Sequence, residues 1–139
     1  MINDFRGQYR YLSNYHFCKI NYEGITYPST EHAFQAAKTL DKESRLIISK
    51  LEKPAEAKRA GQIVQLRPNW NSIRIGIMYD ICKIKFTQPD LKAMLLSTGD
   101  ETLVEGNWWK DTFWGVCNGT GENNLGKILM KIREELRND

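Results

Sequence analysis

Hydrophobic and polar positions alternate loosely over residues 15–28, and Glu23-Gly24 in the middle of this stretch is a turn signal. This alternation predicts a β-hairpin. Beyond Pro28 the apolar residues recur every three or four positions, which is the spacing of one face of a helix. The clearest such run consists of four isoleucines that are spaced 3, 4 and 4 apart: Ile73, Ile77, Ile81 and Ile84.

Capping residues and shorter apolar runs predict two helices between the hairpin and the isoleucine run. Asp41 can cap a helix, and Pro54 suits the first position of another that Gly61 would end. The apolar positions of the first of these helices are Leu46, Ile47 and Leu51.

The C-terminal part of the chain adds two more helices and a short strand. Pro89 begins a helix that ends at Thr98-Gly99, with Leu91, Met94 and Leu95 facing inward. Thr102-Leu103-Val104 predicts a short strand, and the last helix runs from about Asn123. The apolar side of that last helix consists of Leu125, Ile128, Leu129, Ile132 and Leu136. The chain is thus predicted to be one α+β domain over residues 1–139, helix-rich, with a small β-sheet built from the hairpin and one or two later strands.

A polar stripe marks the helix that is predicted to follow Pro28. Ser29 is a suitable N-cap, and Glu31, Gln35 and Lys38 fall at i, i+4 and i+7, so a carboxylate and an ammonium lie on the same face. The stripe is either a solvated polar face or a chemical site, and this segment alone leaves both readings open. The apolar side of the same helix comprises Ala33, Phe34, Ala36, Ala37 and Leu40.

The longest irregular segment covers residues 105–122 and is rich in aromatic residues and glycines. Loops of this length in a compact domain are usually functional. Glycines just before the last helix indicate a candidate phosphate cradle, although the pattern taken alone favours turn glycines without a ligand. The aromatic and acidic residues of the segment include Trp108, Trp109, Asp111, Phe113 and Trp114.

Three further residues have both a structural and a functional interpretation. Trp70 can staple the start of the isoleucine-rich helix or stack on a ligand. Lys85, near the end of that helix, is favoured by the helix dipole without any catalytic role. His32 is interpreted as a hydrogen-bonded structural residue.

Composition excludes several classes of function. Hydrophobic residues make up 41% of the chain, enough for a core, and 20 basic against 17 acidic side chains give a net charge of +3. The basic residues are scattered, which argues against nucleic acid as the main partner but agrees with an anionic small molecule.

Cys18, Cys82 and Cys117 are odd in number and far apart, and only two histidines occur, so we expect no disulfide framework and no metal. We expect a cytoplasmic protein without a membrane segment.

Several blocks, in order along nearly the whole chain, resemble the NADAR (YbiA-like) family. These blocks are residues 12–15, 27–38, 69–70, Met78, 85–86, 103–105, Asp111, 113–115, 123–130 and Arg133. The resemblance implies a helix-rich α+β domain that hydrolyses N-glycosidic bonds, with no cofactor. It implies two substrate types, which are phosphoribosylamino-pyrimidine intermediates of riboflavin synthesis and ADP-ribose attached to guanine in nucleic acid.

Both substrates carry ribose on an exocyclic amine, which suggests attack by a neutral lysine to form a Schiff base. By motif position, Glu31 is expected to act as acid and base and Asp111 as a second carboxylate. Lys38 and Lys85 compete for the nucleophile role, and Lys38 is favoured because it shares the face of Glu31. A direct oxocarbenium route without lysine attack is the alternative mechanism.

The remaining motif residues are assigned to substrate binding. They are Ser13, Asn14, Trp70, Lys85, Trp114, Gly115 and Asn123. Glu122 departs from the family pattern, since basic residues are common in this loop, and Arg6, Arg74 or Arg133 could supply the charge instead. The expected partner is a phosphorylated ribosylamine, an ADP-ribosyl small molecule or ADP-ribosylated nucleic acid. The alternative function is a non-catalytic module that binds ADP-ribose or a nucleotide.

Overall fold

The computed structural model describes all residues from Met1 to Asp139. The elements in chain order are a 3₁₀ helix (Gly7–Leu12), β1 (Phe17–Tyr22), β2 (Ile25–Ser29), α1 (Thr30–Ala37), α2 (Lys42–Ser49), α3 (Pro54–Gly61), α4 (Trp70–Thr87), α5 (Pro89–Leu96), β3 (Gly106–Asn107), β4 (Val116–Cys117) and α6 (Asn124–Arg137). They group into two compact units, one of residues 14–85 and one of residues 1–13 together with 86–139. A single domain over the whole chain stays a prediction.

The unit of residues 14–85 opens with the predicted hairpin. Strands β1 and β2 pair antiparallel, with Tyr22 opposite Ile25. The turn residues Glu23 and Gly24 both have positive φ, 47° and 86°, as a tight two-residue hairpin turn requires. Strand β2 continues one residue beyond Pro28, to Ser29, which is also the N-cap of α1.

Local capping signals determine where the helices of this unit begin. The Oγ atom of Ser29 accepts a hydrogen bond from the backbone N–H of His32 at 3.1 Å. In the same way, Asp41 Oδ2 accepts from the N–H of Ser44 at 3.0 Å. Helix α3 begins at its proline and ends at its glycine, as predicted, and the isoleucine run lies in α4.

Some residues predicted to face inward are exposed. Leu40 is 62% exposed because α1 ends three residues before it, so its helical phase is lost. Leu46 and Ile47 are exposed in α2, whose buried side passes instead through Arg45 and Ile48.

In the second unit, α5 and α6 follow their predicted patterns closely. All five predicted apolar residues of α6 are buried. Helix α5 buries Leu91 and Leu95, but Met94 is 40% exposed. Arg133 of α6 is buried and donates hydrogen bonds to Thr98 Oγ1 at 2.9 Å and to the carbonyl of Glu101 at 2.8 Å.

The strands form two separate pairs rather than one small sheet. The predicted strand at Thr102-Leu103-Val104 is reduced to a single parallel bridge between Leu103 and Ile2. Strands β3 and β4 pair parallel with each other, apart from the hairpin. The helix-rich α+β class is confirmed. No helix is both long enough and apolar enough to cross a membrane.

Candidate active site

Glu31 lies in the first turn of α1 and is buried, with only 7% of its surface exposed. Its backbone N–H donates to the carbonyl of Asn14 at 3.0 Å. Every residue of α1 is buried, Gln35 included. A solvated polar face is therefore the wrong interpretation of Glu31 and Gln35, because both lie inside the unit of residues 14–85.

A buried hydrogen bond joins the two residues. Nε2 of Gln35 donates to Oε2 of Glu31 at 3.3 Å, one helical turn apart. Gln35 can lie there because Gly61 has no side chain, since a Cβ atom on Gly61 would overlap Oε1 of Gln35. The sequence places Gln35 on the same helix face as Glu31 but gives it no role. The structure shows that Gln35 donates a hydrogen bond to the Glu31 carboxylate.

Lys38 caps the C-terminal end of α1 and is half-buried. Burial lowers its pKa from the ordinary value of 10.5, and the positive charges of Lys58 and Arg74 lower it further, while the charge of Glu31 opposes them. A lowered pKa raises the fraction of neutral amine at neutral pH, and only the neutral amine is nucleophilic. Of Arg6, Arg74 and Arg133, Arg74 is thus the one whose charge acts on Lys38.

Lys85 is almost completely buried, with 1% of its surface exposed, although it lies in the last turn of α4. A favourable helix dipole does not require such burial, and a buried ammonium is costly unless it is compensated. Burial raises the pKa of the Cys82 thiol to about 12 and raises that of Cys18, while the charge of Lys85 lowers both. The charge of Lys85 therefore acts on both thiols.

Trp70 and Asn14 occupy defined positions in the same unit. Trp70 is the first residue of α4, is 6% exposed, and packs against Phe34 of α1 with ring centroids 5.2 Å apart. This contact packs the start of α4 against α1 and differs from a hydrophobic staple, which joins two residues at the start of one helix. Asn14 donates to Sδ of Met78 at 3.6 Å and holds the start of α1 through its carbonyl.

His32 is structural, as interpreted from the sequence. Its Nδ1 lies 2.6 Å from Ser29 Oγ, and its Nε2 lies 2.9 Å from the carbonyl of Leu51. Burial is the main reason that its pKa is lowered.

Asp111 lies in the second unit, in the aromatic segment. Its Oδ1 accepts hydrogen bonds from the backbone N–H groups of Phe113 at 3.2 Å and Trp114 at 2.9 Å. One carboxylate oxygen is thereby committed to shaping the turn that presents Trp114, whose ring meets that of Phe113 edge-on at 4.8 Å. Ser13, in the same unit, ends the 3₁₀ helix by donating its N–H to the carbonyl of Arg10.

Asn123 precedes α6 with a positive φ of 54°. Its Oδ1 accepts from the N–H of Glu105 and its Nδ2 donates to the carbonyl of Leu103, both at 2.9 Å. Gly115 packs against the backbone of Glu105, where a Cβ atom on Gly115 would overlap the Glu105 carbonyl. The side chain of Asn123 thus stabilises the fold, which sequence reasoning missed.

Several amides of the candidate phosphate cradle before α6 already have partners within the chain. The backbone N–H groups of Glu122, Asn123, Asn124 and Leu125 donate to carbonyls of residues 112–115 at 2.8 to 3.2 Å. These donors are consumed by the chain itself and are not available to an anion.

Comparison with known proteins identifies the class to which this fold belongs. The family model of the NADAR domain matches residues 3–137, and the chain belongs to that family. The N-glycosidase YbiA of Escherichia coli K12 is 39% identical over 129 residues, which cover 90% of this chain and 80% of that protein. The NMR structure of E. coli YbiA matches with a TM-score of 0.85 and 35% identity, over 99% of this chain and 87% of the other.

Two other relatives widen the comparison. An N-glycosidase of Nostoc punctiforme is 38% identical over 137 residues, covering 94% of this chain and 87% of that protein. A riboflavin biosynthesis protein of Vibrio vulnificus is 40% identical over 131 residues, which are 91% of this chain but 35% of that protein. The prediction of a hydrolase of the N-glycosidase class is confirmed.

Proposed function

We propose that this chain hydrolyses the bond between ribose and an exocyclic amine, with Lys38 as nucleophile and Glu31 as the group that transfers protons. The observation that carries the proposal is the buried Glu31 carboxylate, whose charge acts on an amine with a pKa lowered mainly by burial. A buried carboxylate can exchange protons, and the half-buried amine has a larger neutral fraction than a surface lysine.

The steps balance without a metal or an oxidant. The sugar ring opens as the bond from C1 to the ring oxygen breaks, the ring oxygen takes a proton from Glu31, and C1 becomes doubly bonded to the substrate nitrogen. The neutral amine of Lys38 adds to C1 of the protonated imine, a proton moves from the lysine nitrogen to the substrate nitrogen, and the substrate leaves as a neutral amine, so that a protonated lysine Schiff base remains. Water adds to C1 of the Schiff base, the Glu31 carboxylate takes back one proton, and the open-chain sugar aldehyde and the neutral lysine are released.

Two substrate classes remain as proposals, a phosphoribosylamino-pyrimidine and ADP-ribose on guanine. The name of the Vibrio relative supports the first class. Arg74 is the cation we assign to the phosphate, because its charge already acts on Lys38. A cytoplasmic location also remains a prediction.

The other predicted site residues have narrower proposed roles. Asp111 has one oxygen committed to the turn, so its second oxygen is proposed to orient water or a sugar hydroxyl. Trp114 is proposed to line the base pocket, with Gly115 allowing the close packing of its loop. Ser13 and Asn14 are proposed to contact phosphate or ribose.

Turnover by a Glu31→Gln variant tests the proton-transfer role. Purified protein is incubated with a ribosylaminopyrimidine 5′-phosphate and, in parallel, with ADP-ribosylated guanine DNA, and the released sugar phosphate is measured chromatographically. We expect release from one substrate, loss of at least about 10²-fold in Glu31→Gln, and normal release in Glu43→Gln, an exposed first-turn glutamate of α2. A folded protein that binds but never releases product would favour the non-catalytic module.

Borohydride reduction of the enzyme during turnover distinguishes the lysines. Reduction converts a Schiff base into a stable amine, so mass spectrometry of the digested protein shows which lysine carries the sugar. We expect the adduct on Lys38, its loss in Lys38→Met, and its retention in Lys50→Met, an exposed control. An adduct on Lys85 would move the nucleophile there, and product formation without any adduct would support the oxocarbenium route.

A further inference from the structure

A short loop of the second unit is closed by its own side chain. The carboxamide of Asn107 bonds both backbone groups of Asp111, since Nδ2 donates to the carbonyl at 2.9 Å and Oδ1 accepts from the N–H at 3.0 Å. Trp108, Trp109 and Lys110 form the tip between these two anchors. Lys110 has a positive φ of 68°, which turns the chain back. We call residues 107–111 the tryptophan loop.

The two indoles at the tip of this loop are exposed. Trp108 is 66% exposed and Trp109 is 46% exposed, whereas Trp70 in the other unit is only 6% exposed. Their rings meet edge-on, with centroids 4.8 Å apart. Two adjacent indoles held in water by an ordered loop are an unfavourable surface for a protein without a ligand there.

Cations adjoin the exposed indoles. The guanidinium of Arg6 lies 4.7 Å from the ring centroid of Trp108, which is a cation–π contact. Arg6 also contacts Asp4 at 3.2 Å, but both side chains are exposed, and such surface ion pairs are weak enough to exchange for a phosphate. Lys110 adds a second exposed cation. The patch thus combines flat aromatic faces with positive charge.

We propose that the tryptophan loop binds single-stranded nucleic acid, with nucleobases stacking on Trp108 and Trp109 and phosphates contacting Arg6 and Lys110. Stacking on aromatic side chains beside cations is how proteins hold single strands without reading their sequence. The inference rests on the proposed function in one respect, because it selects ADP-ribosylated nucleic acid over a free ribosylamine phosphate as the substrate class.

Binding of oligodeoxythymidine of about twelve nucleotides tests the loop independently of catalysis. We expect quenching of tryptophan fluorescence on binding, and a loss of affinity of about tenfold or more in Trp108→Ala and in Trp109→Ala. Ile63→Ala removes an apolar side chain that is 86% exposed in the other unit, and this matched control should bind normally. Two phosphate contacts predict a slope of about −1.4 for log affinity against log salt concentration.

A turnover ratio links the loop to the reaction. We expect Trp108→Ala to lower the ratio of kcat/KM on an ADP-ribosylated oligonucleotide to kcat/KM on ADP-ribosylguanosine. Oligodeoxythymidine binding without release of sugar from any substrate would overturn the proposed function alone. Turnover with no oligodeoxythymidine binding, or with an unaltered ratio, would overturn the loop proposal alone. So would a concentration-dependent dimer that Trp108→Ala abolishes, because a second copy would then be what covers the indoles.

Discussion

At the scale of single residues, the absence of a side chain at Gly61 determines where Gln35 lies. Gln35 fills the space that a Cβ atom on Gly61 would take, and from there it donates to the Glu31 carboxylate. Gly61 therefore acts on the candidate acid and base, Glu31, through one intermediate side chain. Gln35 is a positioning residue for Glu31.

Gly61→Ala is expected to displace Gln35, destabilising the protein by about 1–3 kcal/mol and lowering kcat. Chemical denaturation and steady-state kinetics measure both effects. Gly76→Ala is the matched control, since a Cβ there meets nothing within 4 Å, and it should stabilise α4 by about 0.5–1 kcal/mol. In the double variant Gly61→Ala/Gln35→Ala, stability should recover while kcat stays low. Recovery of both would show that Gln35 does not position Glu31.

The pKa of Lys38 determines the pH at which the proposed nucleophile becomes neutral. Burial lowers it, so the neutral amine should appear below the ordinary value of 10.5, and activity should rise with pH through that lowered pKa. Glu31→Gln removes a charge that raises the pKa and should lower it further, whereas Arg74→Gln should raise it. NMR titration of ¹³C-dimethylated Lys38 measures these shifts. Shifts in the same direction in both variants would contradict this arrangement of charges.

At the scale of elements, the start of α6 is held by a loop of the same unit. Carbonyls of residues 112–115 accept from the first amides around this helix start, and the Asn123 side chain ties it to residues 103 and 105. The glycine-rich segment is therefore part of the packing of the second unit. Gly115 and Gly126 permit this approach, because a Cβ on either one would overlap a backbone carbonyl.

Asn123→Ala is expected to destabilise the protein by about 2–3 kcal/mol, since it removes two hydrogen bonds and places alanine at a positive φ. Asn123→Gly should destabilise the protein less than Asn123→Ala does. Glycine also loses both hydrogen bonds, but it adopts a positive φ without strain. Asn118→Gly, at an exposed turn position with φ 52°, should change stability by less than about 0.5 kcal/mol. Urea denaturation measures all three, and an Asn123→Ala variant of unchanged stability would show that these two hydrogen bonds do not stabilise the protein.

Features that depend on near neighbours in sequence could be predicted. The caps at Ser29 and Asp41 and the Glu23-Gly24 turn each involve residues within three positions of one another. The burial of Glu31 could not be predicted, because it depends on α3, which packs on α1 from more than twenty residues away. The parallel pairing of β3 with β4 and the closure of the tryptophan loop likewise depend on contacts that no local pattern specifies.

At the scale of the whole molecule, the family assignment covers both units, since the NADAR match runs from residue 3 to residue 137. All three thiols are free, and Cys82 and Cys117 are buried. A buried thiol can report on the opening of the structure around it, because a reagent reaches it only when that structure opens. Cys82 of α4 suits this purpose, since burial raises its pKa to about 12.

Labelling of Cys82 by an aromatic disulfide at pH 8 is expected to require unfolding. Its thiolate fraction in the folded protein is on the order of 10³-fold below that of an unfolded chain, and the side chain is inaccessible as well. The labelling rate of Cys82 should therefore increase with urea concentration in the same way as the rate of global unfolding. The half-buried Cys18 should be labelled faster than Cys82. Mass spectrometry of each labelled peptide separates the two sites. A urea-independent rate at Cys82 would show that α4 opens locally, and the buried Lys85 one turn further along the helix would then be reachable by water without global unfolding.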